Sequence, residues 1–187
     1  MNLWLRLIWL FLTARFRPRL VMPGATSLLR FRVWPHDLDL SLHMNNGRYL
    51  TIMDLGRLDV MLGSGLWRAV LRHKWTPIAS TVKIRFRREM RAFARYRLET
   101  RILAWDADAV VMEQVFILET GPRTGQVAAH ALFKGGLYDR AAKKFVPIAR
   151  LMAEVGVAAE SPPLTPEVDA FLRADEDMKR ADAERDA

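Results

Sequence analysis

The sequence predicts an α+β fold, a five-stranded antiparallel sheet wrapped around one central helix. Three observations lead there. One strand-like run, LLRFRVWP, stands ahead of a polar loop and a long helix with an apolar stripe. Four more strand-like runs follow Pro77 in close succession, so all but one of the strands come after the helix. A chain of 187 residues, 51% of them apolar, is enough for one core and cramped for two.

The N-terminal segment, residues 1–27, opens with NLWLRLIWLFLTARFRPR. Its apolar stretch from Leu3 to Ala14 is interrupted by Arg6 and falls short of the roughly twenty residues a spanning helix needs. A cleaved signal peptide is disfavoured, because the arginines follow the apolar stretch instead of preceding it. Two readings remain. Residues 3–19 form an interfacial helix in peripheral contact with anionic lipid, or a helix docked on its own domain or on a second copy.

Residues 28–150 form the central domain. From Leu28 to Pro35 apolar and basic side chains alternate as in a strand. The loop HDLDLSLHMNN follows, and then RYLTIMDLGRLDVML reads as a helix. Tyr49, Ile52, Met53, Gly56 and Val60 recur along it at three-to-four spacing, with Asn45 or Asn46 as N-cap. Gly56 on that stripe lets a strand approach closely. Gly63-Ser64-Gly65 ends the helix, and LWRAVLRH offers a short second one. PIASTVKIRF, ARYRLETRILAWD, AVVMEQVFILET and QVAAHALFKGGLYD then read as four consecutive strands of a meander, with the early strand added. In the first of these Val82, Ile84 and Phe86 point one way and Lys83, Arg85 and Arg87 the other. Residues 151–187 comprise a proline-marked linker and a charged helical tail.

The net charge is +8, and the C-terminal tail is acidic, so the positive excess lies in the N-terminal segment and the domain, much of it in KIRFRREMRAFARYR. Such a face suits anionic lipid or a phosphate-bearing ligand. Its strand-like alternation lacks the spaced aromatics of a nucleic-acid platform, so no nucleic-acid partner is expected. The absence of cysteine excludes disulfides, thiolate metal sites and a cysteine nucleophile.

The string DLDLSLHMNNGRYL, set between a strand and a helix, resembles the hotdog-fold thioesterases, including the 4-hydroxybenzoyl-CoA and acyl-ACP thioesterases. It looks most like the group of thioesterase superfamily member six. Asp37, Asp39, His43, Asn45, Asn46 and Tyr49 match the motif D-x-D-x-x-x-H-x-N-N-x-x-Y, and Asp54, GLWR and ILAWD also look familial. The resemblance covers residues 28–150. It implies hydrolysis of an acyl-CoA or acyl-ACP thioester in the cytoplasm, without a cofactor, by a homodimer or homotetramer.

By that resemblance Asp39 is the catalytic carboxylate, attacking the carbonyl or activating water. The free amides of the following helix serve as oxyanion donors. His43 and Asn46 orient the carboxylate, the water or the carbonyl, and Asp54 is a second acid if it faces the cavity. Asn45, Tyr49, Arg85, Arg87, Arg88 and, beside them, Arg91 are candidate substrate contacts, the arginines taking the anionic handle. Met53 and Val60 are candidates to line an acyl tunnel. Quieter roles stand beside these: an Asx turn for Asp37, a cap for the asparagines, a loop brace for His43, a salt bridge for Asp54 and a solvated basic face for the arginines. Metal ligation by His36, Asp37, Asp39 and His43 is stereochemically conceivable, but no ligand pair lies on a regular element and no metal is expected.

One position departs from the family pattern. Many hotdog thioesterases have glycine before the histidine, where this chain has Leu42, a residue ill suited to positive φ. That departure feeds the main alternative, an acyl-CoA binding protein without turnover. A hotdog hydratase is a further alternative, but its D-x-N-P-x-H string does not occur.

Overall fold

A computed structural model describes residues 2–157 and 160–186; Met1, Ala158, Ala159 and Ala187, which fall in the two terminal segments, lie outside the described residues. Helix α1 (Asn2–Ala14) leads to strand β1 (Thr26–Arg32), and the polar loop passes through a 3-10 turn at Pro35–Asp37. Then come α2 (Asn46–Ser64), α3 (Leu66–His73), β2 (Trp75–Phe86), β3 (Arg95–Trp105), β4 (Val110–Leu118) and β5 (Val127–Asp139). A two-residue strand β6 (Lys144–Phe145), α4 (Ile148–Glu154) and α5 (Pro166–Arg185) complete the chain.

All strand pairs are antiparallel, and the sheet runs β1-β3-β4-β5-β2, with β6 added beside the end of β5. Only β3, β4 and β5 form a meander. The expected four-strand meander is corrected here: β2 lies on the far edge, next to β5. Residues 87–94 must therefore cross the end of the sheet to reach β3, and this crossing matters for the site. An edge position also explains how β2 carries Pro77, which has no N–H to donate to a ladder.

The long helix α2 crosses the concave face of the sheet, burying Tyr49, Ile52, Met53, Gly56 and Val60 as the three-to-four spacing requires. Gly56 is where the approach is closest. A Cβ there would collide with Thr100 Oγ1 and lie 2.8 Å from Leu98 Cδ2 and 2.9 Å from Gln114 Nε2. The Gln114 amide is buried but donates to Met53 O (2.9 Å) and Thr100 Oγ1 (3.1 Å), tying β4 to the helix backbone.

Strand β5 reads as an almost unbroken apolar run because both its faces are covered. Helix α2 covers one. On the other, α5 buries Val168 and Phe171 against Ala104, Val111 and Leu132. A buried ion pair, Lys134 Nζ to Asp175 Oδ2 at 3.0 Å, fixes α5 there, and the Thr81 hydroxyl also donates to Asp175.

Helix α1 packs on α2 and β1 through Leu10, fully buried, with Leu3 and Leu7 partly buried beside it. Arg6, which interrupts the apolar run in the sequence, turns inward on the same stripe. Arg17, just past the helix, pairs with Asp59 of α2.

Candidate active site

The polar loop begins where β1 ends. Asp37 is fully buried, and its Oδ2 accepts the Trp34 N–H at 2.9 Å, three residues back along the chain. Arg6 of α1 donates to the same oxygen at 2.6 Å and to Oδ1 at 3.3 Å. The Asp37 carboxylate is thus consumed in fastening the loop to α1.

Asp39, two residues on, stays partly exposed. Its Oδ1 accepts the Ser41 N–H at 2.9 Å, and Oδ2 lies 3.4 Å from His43 Nδ1. Two backbone bonds close the loop, Leu42 N–H to Asp39 O (3.0 Å) and Asp39 N–H to His43 O (2.9 Å). This is a tight hairpin turn whose last residue must be left-handed, which is why glycine is favoured there. Leu42 takes that conformation, with φ of 58°, at a cost of about 1–2 kcal/mol. Its side chain is 71% exposed, so the shape of the turn, and no packing, puts it there.

The crossing segment from β2 braces the loop from below. Met44 N–H donates to the carbonyl of fully buried Met90 (2.8 Å), and His43 bridges antiparallel to Arg91. Asn45 caps α2 by accepting the Gly47 N–H at 2.9 Å, and the Arg48 N–H donates to Asn45 O at 2.9 Å. The expectation of several free first-turn amides is therefore corrected. Among the described residues the Asn46 N–H has no acceptor, while the cap and the first turn satisfy those of Asn45, Gly47 and Arg48.

Asn46 is exposed at the mouth of α2. Tyr49 lies in the core, edge-on to Phe86 and Phe116 with ring centroids 5.0 Å away in each case. Burial pushes its hydroxyl up to about 12. Arg85 and Arg87 are exposed, while Arg88 is partly buried and donates to Val127 O at 2.7 Å, a brace for the strand end. Arg91 pairs with Glu89 at 2.8 Å. The Tyr49–Phe86 contact and the His43–Arg91 bridge bring this basic end of β2 to the loop.

An apolar cavity of about 220 Å³ lies elsewhere, beside the second half of α2. Val60, Met112, Phe133 and Leu151 line it, together with Pro77–Ala79 of the β2 edge. Val60 thus faces the cavity, whereas Met53 lies in the core. Asp54 sits at the rim, its side chain 62% exposed and paired with Arg57. The Arg57 guanidinium also donates to Gln114 Oε1 (2.8 Å) and lies 4.0 Å over the Phe133 ring. Burial lowers its pKa, against the raising effect of Asp54. Asp39, His43 and Asn46 are not among the cavity residues. Asp54 is eight residues beyond Asn46, about 12 Å along a helix. Sequence reasoning missed Arg57; its one local signal was the i, i+3 spacing from Asp54. Among the described residues no cluster of three or more histidines and acids could hold a metal ion.

The model of the thioesterase-like superfamily matches residues 33–172. Protein THEM6 of Xenopus laevis is 39% identical over 85 residues, 46% of this chain and 41% of that protein. Protein THEM6 of Danio rerio is 34% identical over 113 residues, 60% of this chain and 56% of that protein. The chain spans about half the length of these curated relatives. The crystal structure of the YbaW probable thioesterase from Escherichia coli is similar with a TM-score of 0.62 and 23% identity, over 68% of this chain and 94% of that one. That likeness is one of fold, the hotdog fold. The family match takes in the loop from Val33 onward, α2, β2 to β6, and the docked turns of α5; the chain belongs to the thioesterase-like superfamily.

Proposed function

We propose that this protein hydrolyses an acyl thioester, carried on coenzyme A or an acyl carrier protein, to the free acid and thiol. The observation that carries the reading is Asp39. Its carboxylate is oriented by Ser41 N–H and His43, is partly open to solvent, and precedes a helix whose Asn46 N–H is free to bond an oxyanion. Attack by Asp39 on the carbonyl carbon sends charge to the carbonyl oxygen, expels the thiolate and leaves a mixed anhydride that water then hydrolyses to the free acid and Asp39; attack by a water that Asp39 deprotonates expels the thiolate and gives the free acid directly. Arg85 and Arg87 draw the anionic carrier to this end of the sheet. The apolar cavity takes the acyl group, with Asp54 as a second acid at its rim.

Asp39 and the cavity are not contiguous within one chain, which supports assembly through the β2 edge. That edge is a long strand with one side unpaired, and its Pro77–Ala79 form part of the cavity wall, so a second copy seated there reaches the acyl group. We place this dimer in the cytoplasm, at the inner face of a membrane. A monomer by light scattering at micromolar concentration overturns the assembly.

The deciding experiment is thiol release from acyl-CoAs of graded chain length. Asp39→Asn keeps the size of the side chain and removes its charge, so turnover falls about 10²- to 10⁴-fold with unchanged melting. Near-normal hydrolysis by a folded Asp39→Asn protein removes the assignment and moves attention to Asp54. The same separation of Asp39 from the cavity supports a second reading, acyl-CoA binding without turnover; tight binding with no thiol release from any chain length establishes it.

A further inference from the structure

The first 36 residues contain six arginines and no acid. Two of these arginines, Arg6 and Arg17, are spent on Asp37 and Asp59. Those two pairs, with fully buried Leu10 between them, set the rotation of α1 and so decide which of its faces looks outward. The outward face is apolar. Trp4, Leu5, Leu12 and Phe16 are 68, 70, 67 and 74% exposed, with Ile8 at 51% in the middle of the row. A soluble domain gains nothing from fixing such a ridge in water, and ridges of this kind mark contact surfaces.

Both flanks of the ridge are basic. On one side a groove of about 450 Å³ is lined by Arg15, Arg19 and Arg68. On the other, a groove of about 1010 Å³ joins Leu5 and Trp9 to the outer face of β1 and β3. There Arg30 faces Arg97 and Arg32 faces Arg95 directly across the strand pair. Like charges so opposed are destabilising without a counterion. Glu119 pairs with Arg30 and approaches Arg97, while among the described residues Arg32 and Arg95 have no acid within ion-pair distance.

We propose that this apolar ridge with its two arginine-lined flanks seats the protein on an anionic phospholipid bilayer. The outward side chains of α1 enter the acyl boundary, and Arg15, Arg19, Arg32 and Arg95 meet lipid phosphates on either side. Charge complementarity selects this occupant: a ridge made to receive a second protein chain would not need guanidinium groups on both flanks, whereas a helix lying flat in a headgroup layer meets phosphate on both. The seat deepens the membrane contact proposed above, and it is tested without substrate, so its failure is distinct from failure of hydrolysis.

The test is co-sedimentation of the full chain with phosphatidylcholine vesicles, with and without phosphatidylglycerol, at low and high salt. Binding should require phosphatidylglycerol and be lost at about 1 M salt, where screening is nearly complete. Ile8→Asp with Leu12→Asp should weaken it at least tenfold, and so, independently, should Arg32→Gln with Arg95→Gln, each with unchanged melting. No binding by the wild type, equal binding to uncharged vesicles, or wild-type binding by the Ile8/Leu12 variant overturns the seat. A drop in solution mass of that variant without any vesicle binding by the wild type assigns the ridge to a second copy instead and also overturns it.

Discussion

Asp37 and Asp39 are two residues apart and chemically identical, and their surroundings differ sharply. Asp37 is buried with a guanidinium and a backbone amide. Asp39 keeps one edge toward solvent because the turn that follows bends the chain outward. That turn rests on Leu42, whose left-handed backbone is maintained by hydrogen bonds at Asp39 against the preference of its side chain. Leu42→Gly removes a strain of about 1–2 kcal/mol and returns about 0.5–1 kcal/mol of it as unfolded-chain entropy. The variant should be more stable by about 0.5–1 kcal/mol in urea unfolding. A destabilised Leu42→Gly protein would show that the exposed leucine makes a contact of its own.

At the scale of elements, the close approach of α2 to the sheet depends on Gly56. Alanine is the better helix former by about 1 kcal/mol, yet its methyl would have to displace buried groups on β3 and β4. Overpacking at such a site costs typically 1–3 kcal/mol. Gly56→Ala should therefore lower stability by about 1–2 kcal/mol, a fall of several degrees in Tm for a chain of this length. An unchanged Tm would mean that the sheet moves away from the helix at no cost. The same contact fixes where Asn46 sits relative to the crossing segment, since α2 carries one and the sheet end carries the other.

At the scale of the whole molecule, α5 is docked on the sheet by Val168 and Phe171 together with one buried carboxylate, Asp175. Burial works to raise the Asp175 pKa, but the Thr81 hydroxyl and the Lys134 ammonium outweigh it and hold the group below the usual carboxylate range. A carboxyl whose folded pKa is depressed binds fewer protons folded than unfolded, so its contribution is complete above about pH 4 and disappears as pH falls through the lower folded value. Asp175→Asn should lower stability at neutral pH by about 1–3 kcal/mol, since it removes the closest partner of a buried ammonium and leaves it only Glu176 at 3.8 Å and Asp106 at 4.0 Å, and should flatten the loss of stability on acidification. Melting curves between neutral pH and pH 3 for both proteins check this; parallel pH dependences would exclude Asp175 as the titrating clasp.

What the sequence determined by itself was local. The 3.6-residue stripe of α2, its asparagine cap, the alternating or continuous apolar runs of the strands and the glycine stop after Ser64 all lie within windows of a dozen residues, where periodicity and turn chemistry speak directly. The loop motif was legible through its resemblance to the hotdog thioesterases, which rests on a short contiguous string that includes Asp39 and His43. The tertiary structure alone decided the rest. That Asp37 is paired and buried while Asp39 is left partly open depends on Arg6, 31 residues from Asp37. The place of β2 beside β5 could not be read because an edge strand and a meander strand share one alternation. The cavity at Arg57 exists only where α2, β2, β3, β4, β5 and α4 meet. A residue's pattern reports which side of its own element is buried, but its partner across the core is chosen by the burial of every element at once.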